Sequence, residues 1–359
     1  MSKYAKLAAR MKEYMALEAI SRYEEPVVEA LKKNTASKNF EYSRDGLGSL
    51  IIKTKTKPNA PKIMIAAHMD EVGYLVRSIE DNGQMLVSVV GGVWTSAVIG
   101  TRAKVVSNRT GKSAYGVFGH TSIHIMKRED IMKSPTNKEL FVDFGFKSKA
   151  EAEEFGIEIG DPIYMHGESL DLPNDLISGK AVDNRAGVTV IDFLANNIKD
   201  LDLPNTTYIV GTAQEEVGTR GAKTSVGLIN PDVAFAIDTG AAHDTTNCPK
   251  GTPKLGAGVS LLIQDGGILT DPKLVKMLHQ LAQKHNIPVY NYIAEGGGTD
   301  GCQLQYGLGG VPTITLSIPQ RYLHSPIGVA SLVDIQATLD LITEFVKVFD
   351  NKMLQELKG

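Results

Sequence analysis

The sequence contains only two cysteines, Cys248 and Cys302, among its 359 residues. Two cysteines so far apart exclude the disulfide framework typical of small secreted proteins. No apolar run reaches the roughly 18 residues that a membrane-spanning helix needs. The first fifteen residues, MSKYAKLAARMKEYM, have the charge pattern of an amphipathic helix and lack the apolar region of a signal peptide. These absences predict a cytoplasmic protein.

An excess of charge of either sign is also missing. The chain has 38 basic and 41 acidic residues and a net charge of -3. This balance offers no electrostatic footprint for a nucleic acid or an anionic membrane, so we expect neither as a partner. With 42% hydrophobic residues, a chain of this length can bury a large core and form two domains.

Short apolar segments alternate with longer helical patterns through much of the chain. The apolar segments are KIMIAAH (62–68), TTYIVGT (206–212), VAFAID (233–238) and VPTITLS (311–317). The helical patterns are RAGVTVIDFLANNIK (185–199), DPKLVKMLHQLAQKH (271–285) and SLVDIQATLDLITEFVKVF (331–349). This alternation favours an α/β fold, in which a mainly parallel sheet is flanked by helices.

Between about Tyr74 and His166 the pattern changes to short alternating strands punctuated by glycine, such as YLVRSI, QMLVSVV, AKVVSN and DPIYMHG. We interpret this stretch as a small β-rich domain inserted into the α/β domain. The predicted organisation is therefore residues 1–73 as the first part of the α/β domain, residues 74–166 as the insertion, and residues 167–359 as the second part.

Candidate metal ligands stand where the predicted strands end, which is where an open α/β sheet has its ligand crevice. They are His68 after KIMIAAH, Glu215 and Glu216 after TTYIVGTAQ, Asp238 at the end of VAFAID, His324 after TITLSIPQRYL, and Asp183 in SGKAVDNRAG at a helix start. Each alone has a structural explanation, and Asp183 would serve as a helix N-cap. Together the carboxylates would repel one another unless positive charge compensates them.

A pair of divalent metal ions supplies that charge. Imidazole and carboxylate ligands suit zinc, cobalt or manganese, and the absence of cysteine argues against a closed structural zinc site. We assign Asp183 as the bridging ligand between the two ions and one histidine, His68 or His324, to each ion. Glu216 and Asp238 complete the two ligand sets.

This assignment leaves two acidic residues with other roles. Glu215 has no metal to bind and is the predicted general base, which takes a proton from the attacking water and passes it to a leaving amine. Asp70, two residues after His68, is predicted to accept the second N–H of that imidazole and to fix its tautomer.

Six motifs in this order resemble those of the tetrahedral, or glutamyl aminopeptidase-like, family of dinuclear metallopeptidases. They are HMDEVG (68–73), SGKAVDNRAG (178–187), QEEVGTRGA (214–222), AIDTG (236–240), GGTDG (297–301) and RYLHSP (321–326). The resemblance implies the same roles: His68, Asp183, Glu216, Asp238 and His324 as ligands, Asp183 bridging, and Glu215 as the base.

The resemblance also implies an assembly. The family's catalytic α/β domain is interrupted by a small β-barrel-like domain that mediates dimerisation, and six dimers build a hollow dodecamer with the active sites inside. Two segments depart from the family pattern. AISRYEEPV (19–27) replaces a glycine-rich turn before an early glutamate, and Ser122-Ile123-His124 replaces a Pro-Pro-His stretch in the insertion.

Three functions follow as alternatives. The favoured one is an aminopeptidase acting on short peptides with a free N-terminus, and the preferred terminal residue stays open among acidic, apolar and basic types. The second is a glycosidase, since relatives are also described as cellulase-like and paired carboxylates hydrolyse glycosidic bonds. The third is an inactive metal-binding assembly protein, which the spare Glu215 argues against. The glycine-rich EGGGTDG (295–301) is interpreted as a loop lining the substrate pocket.

Overall fold

The elements of the fold follow the predicted alternation of strands and helices. The computed structural model describes residues 3–359, so the first two residues of the predicted N-terminal helix lie outside the described part. The helices in this range are α1 (Ala5–Met15), α2 (Glu25–Asn34), α3 (Thr95–Val98), α4 (Lys149–Phe155), α5 (Val182–Ile198), α6 (Arg220–Ile229), α7 (Pro272–His285), α8 (Gly301–Leu304), α9 (Leu332–Val348) and α10 (Asn351–Lys358).

The strands divide between an open sheet and a barrel. They are β1 (Glu41–Arg44), β2 (Leu50–Lys53), β3 (Lys62–His68), β4 (Gly73–Ile79), β5 (Met85–Val90), β6 (Arg102–Val106), β7 (Ser113–Gly119), β8 (Phe141–Asp143), β9 (Pro162–His166), β10 (Leu170–Leu172), β11 (Leu176–Gly179), β12 (Thr206–Thr212), β13 (Val233–Ala241), β14 (Val259–Gln264), β15 (Val289–Ile293), β16 (Thr313–Arg321) and β17 (Gly328–Ser331).

The open sheet has a parallel centre and antiparallel flanks. Its central strands run in the order β12-β3-β13-β16, and each neighbouring pair in this order is parallel. The outer strands β2, β14 and β17 join this centre in antiparallel pairs. The sheet is therefore mixed, while its centre has the parallel arrangement expected from the alternating pattern.

Helix α5 lies against the sheet centre and buries almost its whole length. Its residues from Ala186 to Ile198 supply valine, isoleucine, leucine and alanine side chains to the main core, which also contains the apolar residues of α9 and of β3 and β13. A helix that is apolar on most of its surface is stable only when covered on several sides. Here the sheet, α1 and α9 provide that cover.

The inserted β-rich segment is a closed barrel. Its strands follow the order β4-β5-β8-β7-β6-β9, and every neighbouring pair is antiparallel. The barrel has a core of its own, which includes Tyr74, Val87, Phe118 and Ile163. The α/β fold with an inserted small barrel, as predicted from the sequence, is thus confirmed.

Helices α1 and α5 are joined by a buried carboxylate. Asp192, on α5, accepts a hydrogen bond of 2.8 Å from the Tyr14 hydroxyl and one of 2.8 Å from the Asn196 side chain. It also forms an ion pair with Arg10 of α1. The Asp192 side chain is fully buried, so these partners replace the water that it loses on folding.

We predict that Asp192→Ala lowers the free energy of unfolding by about 2 kcal/mol, because Tyr14 and Arg10 then lose a charged hydrogen-bond acceptor. Denaturant unfolding followed by circular dichroism measures the change. Glu41→Ala is the matched control, since it removes a carboxylate that is paired with Lys53 but largely exposed, and it should shift the midpoint little. Equal shifts in the two variants would contradict a structural role for Asp192.

Candidate metal centre

The register of the parallel strands brings the predicted ligands to one edge of the sheet. His68 ends β3 and is the Cα partner of Thr212, which ends β12. Ala236 of β13 pairs with Ala66 of β3, so Asp238 and His68 lie two residues beyond this pair in the same direction. Asp238 therefore lies within β13, which runs on to Ala241, instead of at its end as the sequence suggested.

Asp183 reaches the same edge from the first turn of α5. Its backbone is not helical, with φ of -79° and ψ of 110°, and the N-cap position of the helix is held by Ala181 without a side-chain cap. The N-cap explanation for Asp183 is therefore wrong. The irregular turn places its carboxylate next to His68 and His324.

The two oxygens of the Asp183 carboxylate face different histidines. Oδ1 lies 3.1 Å from Nε2 of His68, and Oδ2 lies 3.3 Å from Nε2 of His324. The same nitrogen of each histidine has a second carboxylate neighbour: Asp238 at 3.4 Å from His68, and Glu216 at 3.5 Å from His324. Asp183 thus links two groups, the His68 group (His68, Asp183, Asp238) and the His324 group (His324, Asp183, Glu216).

The crowding of acidic groups changes their protonation. Burial and the neighbouring Asp183 raise the pKa of Glu216 to about 8, and burial also raises the pKa of Asp238. Burial alone would lower the pKa of His68, but Asp238 and Asp183 together raise it well above its usual value. The hydrogen bond with Asp183 raises the pKa of His324 to about 9. Protonated imidazoles therefore balance the carboxylates in this arrangement.

The chemistry of these side chains fits divalent cations. Each group offers one imidazole nitrogen and two carboxylates, a combination that suits zinc, cobalt or manganese. Within residues 3–359, Oε1 of Glu216 is buried and has no hydrogen-bond partner, so its lone pairs are available to a cation. Cations in place of the two imidazole protons would keep the carboxylates compensated.

Glu215 lies beside this cluster. Oxygens of Glu215 and Glu216 and a ring nitrogen of His68 all lie within 4.8 Å of one another. Burial raises the pKa of Glu215 well above its usual value. The positive charge of His68 opposes this rise, and the negative charge of Asp238 adds to it. A carboxylate with a raised pKa is suited to exchange protons near neutral pH.

Asp70 holds the main chain that carries the two glutamates. Its carboxylate accepts hydrogen bonds from the backbone N–H of Glu215 at 3.0 Å and of Glu216 at 3.1 Å, and from the Ser21 hydroxyl at 2.6 Å. Nδ1 of His68 lies 3.6 Å from the Asp70 carboxylate, whereas it lies 3.0 Å from the Asp70 main-chain oxygen. The hydrogen bond that fixes the His68 tautomer therefore goes to the carbonyl of Asp70.

A buried ion network behind the cluster was missed by the sequence analysis. Lys180 donates to both carboxylate oxygens of Glu71, at 2.7 and 2.9 Å, and Arg185 lies 3.3 Å from the same carboxylate. Their side chains are at most 3% exposed. Two cations against one carboxylate leave positive charge next to Asp70 and Asp183. The available signal was the Lys and Arg that flank Asp183 in SGKAVDNRAG.

Asp300 is a further residue near the cluster that the sequence analysis did not single out. It is 2% exposed and accepts a hydrogen bond from the Thr212 hydroxyl. Its other oxygen is buried and has no hydrogen-bond partner within the described residues. Burial raises the pKa of Asp300 to about 7, and its electrostatic neighbours include His68 and Asp238. The glycine-rich loop thus brings a further carboxylate to the cluster.

The structure brings together all seven predicted site residues, although no single motif contains more than two of them. Their roles as ligands, bridging ligand and base stay predictions.

No helix within residues 3–359 is both long enough and apolar enough to cross a membrane.

Comparisons with known proteins place the chain in a family. The model of the M42 glutamyl aminopeptidase family matches residues 48–341. The glutamyl aminopeptidase of Lactococcus lactis subsp. cremoris is 33% identical over 353 residues, which cover 98% of each chain.

Solved structures agree over nearly the whole length. Aminopeptidase APDkam598 from the archaeon Desulfurococcus kamchatkensis is 34% identical, with a TM-score of 0.94 over 100% of this chain and 99% of that one. The TET1 peptidase of Pyrococcus horikoshii, described as able to assemble into a tetrahedron or a large octahedral shell, is 29% identical, with a TM-score of 0.85 over 96% and 100%. The chain therefore belongs to the M42 glutamyl aminopeptidase family.

Proposed function

We propose that this protein is a metal-dependent aminopeptidase that removes N-terminal residues from short peptides. The proposal rests mainly on the Asp183 carboxylate, whose two oxygens face the two histidines at 3.1 and 3.3 Å. A carboxylate shared in this way is the arrangement that two divalent ions need. Family membership and the similarity to aminopeptidases support the same reaction class.

The proposed ligands are the members of the two groups. His68 and Asp238 would hold one ion and His324 and Glu216 the other, with Asp183 shared. Two divalent cations held there supply Lewis-acid activation of a water molecule and of the peptide carbonyl. Zinc and cobalt fit the ligand types best, and manganese is compatible.

Glu215 is proposed as the general base. Its carboxylate would accept a proton from the attacking water and donate it to the nitrogen of the leaving peptide. Asp70 assists by holding the backbone N–H groups of Glu215 and Glu216, so the base and the ligand keep a fixed relation to each other. Asp70 therefore acts as a positioning residue.

The two alternatives raised by the sequence have less support. A glycosidase needs two carboxyl groups that flank a sugar ring, with no need for histidines. Here the carboxylates converge on two imidazole nitrogens instead. An inactive metal-binding assembly protein would have no use for Glu215, a carboxylate in the cluster with a raised pKa and no proposed ligand role.

We propose that the barrel, assigned to residues 74–166, joins subunits into dimers, and that six dimers form a dodecamer. Large apolar side chains are exposed on this segment: Trp94 at 69%, Ile123 at 55%, Ile125 at 79% and Met132 at 91%. A surface that exposes several large apolar side chains is suited to bind another protein chain. The assembly described for the TET1 peptidase of Pyrococcus horikoshii supports this proposal.

The roles of the two glutamates can be separated by substitution. Glu215→Gln should lower kcat by two to four orders of magnitude, roughly the contribution of a general base, while it retains both cations. Glu216→Gln should retain fewer cations per chain, because a proposed ligand is weakened. Elemental analysis of the two variants after dialysis gives the cation content, and equal loss from both would refute the division of roles.

The free amine of the substrate should be essential. An aminopeptidase holds its substrate by the terminal amine, and acetylation removes the charge and adds bulk there. One peptide in free and N-acetylated forms, incubated with the metal-loaded protein and followed by mass spectrometry, should show stepwise N-terminal loss from the free form alone. Internal cleavage, or cleavage of both forms, would assign the protein to another class of hydrolase.

The assembly can be tested with charges on the barrel. Light scattering should give a native mass near twelve times the chain mass of 38.8 kDa. Ile125→Glu combined with Met132→Glu should give smaller species, because a carboxylate in an apolar interface is costly to desolvate. Leu201→Glu, at an exposed apolar position of the α/β domain, is the control. A monomeric, active wild-type protein would disprove the proposal.

A further inference from the structure

The first hairpin of the barrel returns the chain to the candidate metal centre. Strand β4 begins at Gly73, directly after the segment that carries His68 and Asp70. In the β4–β5 register, Gly73 pairs with Val90, the last residue of β5. The two residues that follow, Gly91 and Gly92, are therefore brought back beside the point where the chain enters the barrel.

Gly91 lies against Glu216. A Cβ atom on Gly91 would stand 2.7 Å from Cγ1 of Val72 and 3.2 Å from Cβ of Glu216. Its φ of +79° is also a conformation that side chains disfavour. Only glycine allows the backbone of the hairpin to approach Glu216 this closely.

Gly92 lies against His324. A Cβ atom on Gly92 would stand 3.2 Å from Nδ1 and 3.7 Å from Cε1 of His324, and no other atom outside its chain neighbours would come within 4 Å. The ring nitrogen that faces Asp183 and Glu216 is Nε2, so Gly92 lies at a different edge of the imidazole. A side chain at position 92 would therefore press on the Nδ1–Cε1 edge of the imidazole.

His324 needs support from neighbouring residues more than His68 does. The His324 side chain is 36% exposed, whereas that of His68 is 2% exposed. His324 also follows β16 in a loop in which Tyr322 and His324 both have positive φ. The surrounding core fixes the ring of His68, while a Cβ at position 92 would press on the Nδ1 side of the His324 ring.

From these contacts we infer that Gly91 and Gly92 are positioning residues for the His324 group, through which the inserted barrel sets the cation affinity of that group alone. The inference rests on the proposed two-cation function. The atoms that a Cβ on either glycine would meet first belong to Val72, Glu216 and His324, so two members of the His324 group lie beside the hairpin. Supporting residues behind metal ligands typically change metal affinity 10–100-fold.

The test adds a methyl group at Gly92. A Cβ atom 3.2 Å from Nδ1 is closer than an ordinary contact, so we expect Gly92→Ala to shift or turn the His324 ring and thereby to displace Nε2. Isothermal titration calorimetry of cation-free protein with Co²⁺ should show two binding events. The affinity of the first should be unchanged, and the affinity of the second should fall about 10–100-fold. Gly46→Ala is the control, because a Cβ there meets nothing within 4 Å and should alter neither event.

Two variants that each lack one histidine show which of the two groups Gly92→Ala affects. His68→Ala leaves the His324 group as the main cation site, and adding Gly92→Ala should weaken its Co²⁺ binding about 10–100-fold. His324→Ala leaves the His68 group, and adding Gly92→Ala there should change nothing, because the imidazole that a Cβ on Gly92 would meet has been removed. Equal weakening in both backgrounds, or none in the His68→Ala background, would overturn the inference.

A second variant covers misfolding of Gly92→Ala. Val72→Ala removes the methyl groups against which Gly91 lies, and it should weaken Co²⁺ binding severalfold in the His68→Ala background only. An unchanged affinity there would overturn the inference as well. If wild-type protein binds a single Co²⁺ ion, the two-cation function itself fails; if it binds two and Gly92→Ala also binds two with unchanged affinities, only the positioning role fails.

Discussion

The structure depends on keeping several carboxylates close together in a place where water cannot screen them. Asp183, Glu216 and Asp238 converge on two imidazole nitrogens, and mutual repulsion would separate them without compensating positive charge. The fold meets this requirement by presenting His68 from the end of β3 and His324 from the loop after β16 to one shared carboxylate. Cations and imidazole protons are alternative sources of the same compensation, so the charge balance couples protonation to the proposed metal binding.

The support behind the cluster is also ionic. Glu71 accepts hydrogen bonds from Lys180 and from the backbone N–H of Ala19, and Arg185 donates to the carbonyl of Tyr14. These contacts tie the segment that follows α1 to the loop after β3 and to the first turn of α5. The network therefore gives the loop a fixed position and places positive charge beside it, at the cost of burying two cations that only satisfied hydrogen bonds can stabilise.

The inserted barrel lies beside the site as well as forming a closed sheet of its own. It has its own core, yet the return of its first hairpin places Gly91 against Glu216. A domain that is proposed to join subunits thus lies beside a proposed metal ligand. This proximity follows from the point of insertion, because the chain leaves the sheet immediately after the loop that begins at His68.

The sequence by itself determined the elements and their chemistry. Strands 62–68 and 206–212 were predicted with their observed bounds. Short apolar segments bounded by turn residues can be recognised as strands from the local sequence alone. Tertiary structure decided what depends on distance between segments: that Asp70 holds the backbone of Glu215, that Asp183 leaves its helix to face two histidines, and that Gly92 lies behind His324. Side-chain contacts between residues more than a hundred positions apart are set by strand order and register, and neither leaves a local trace in the sequence.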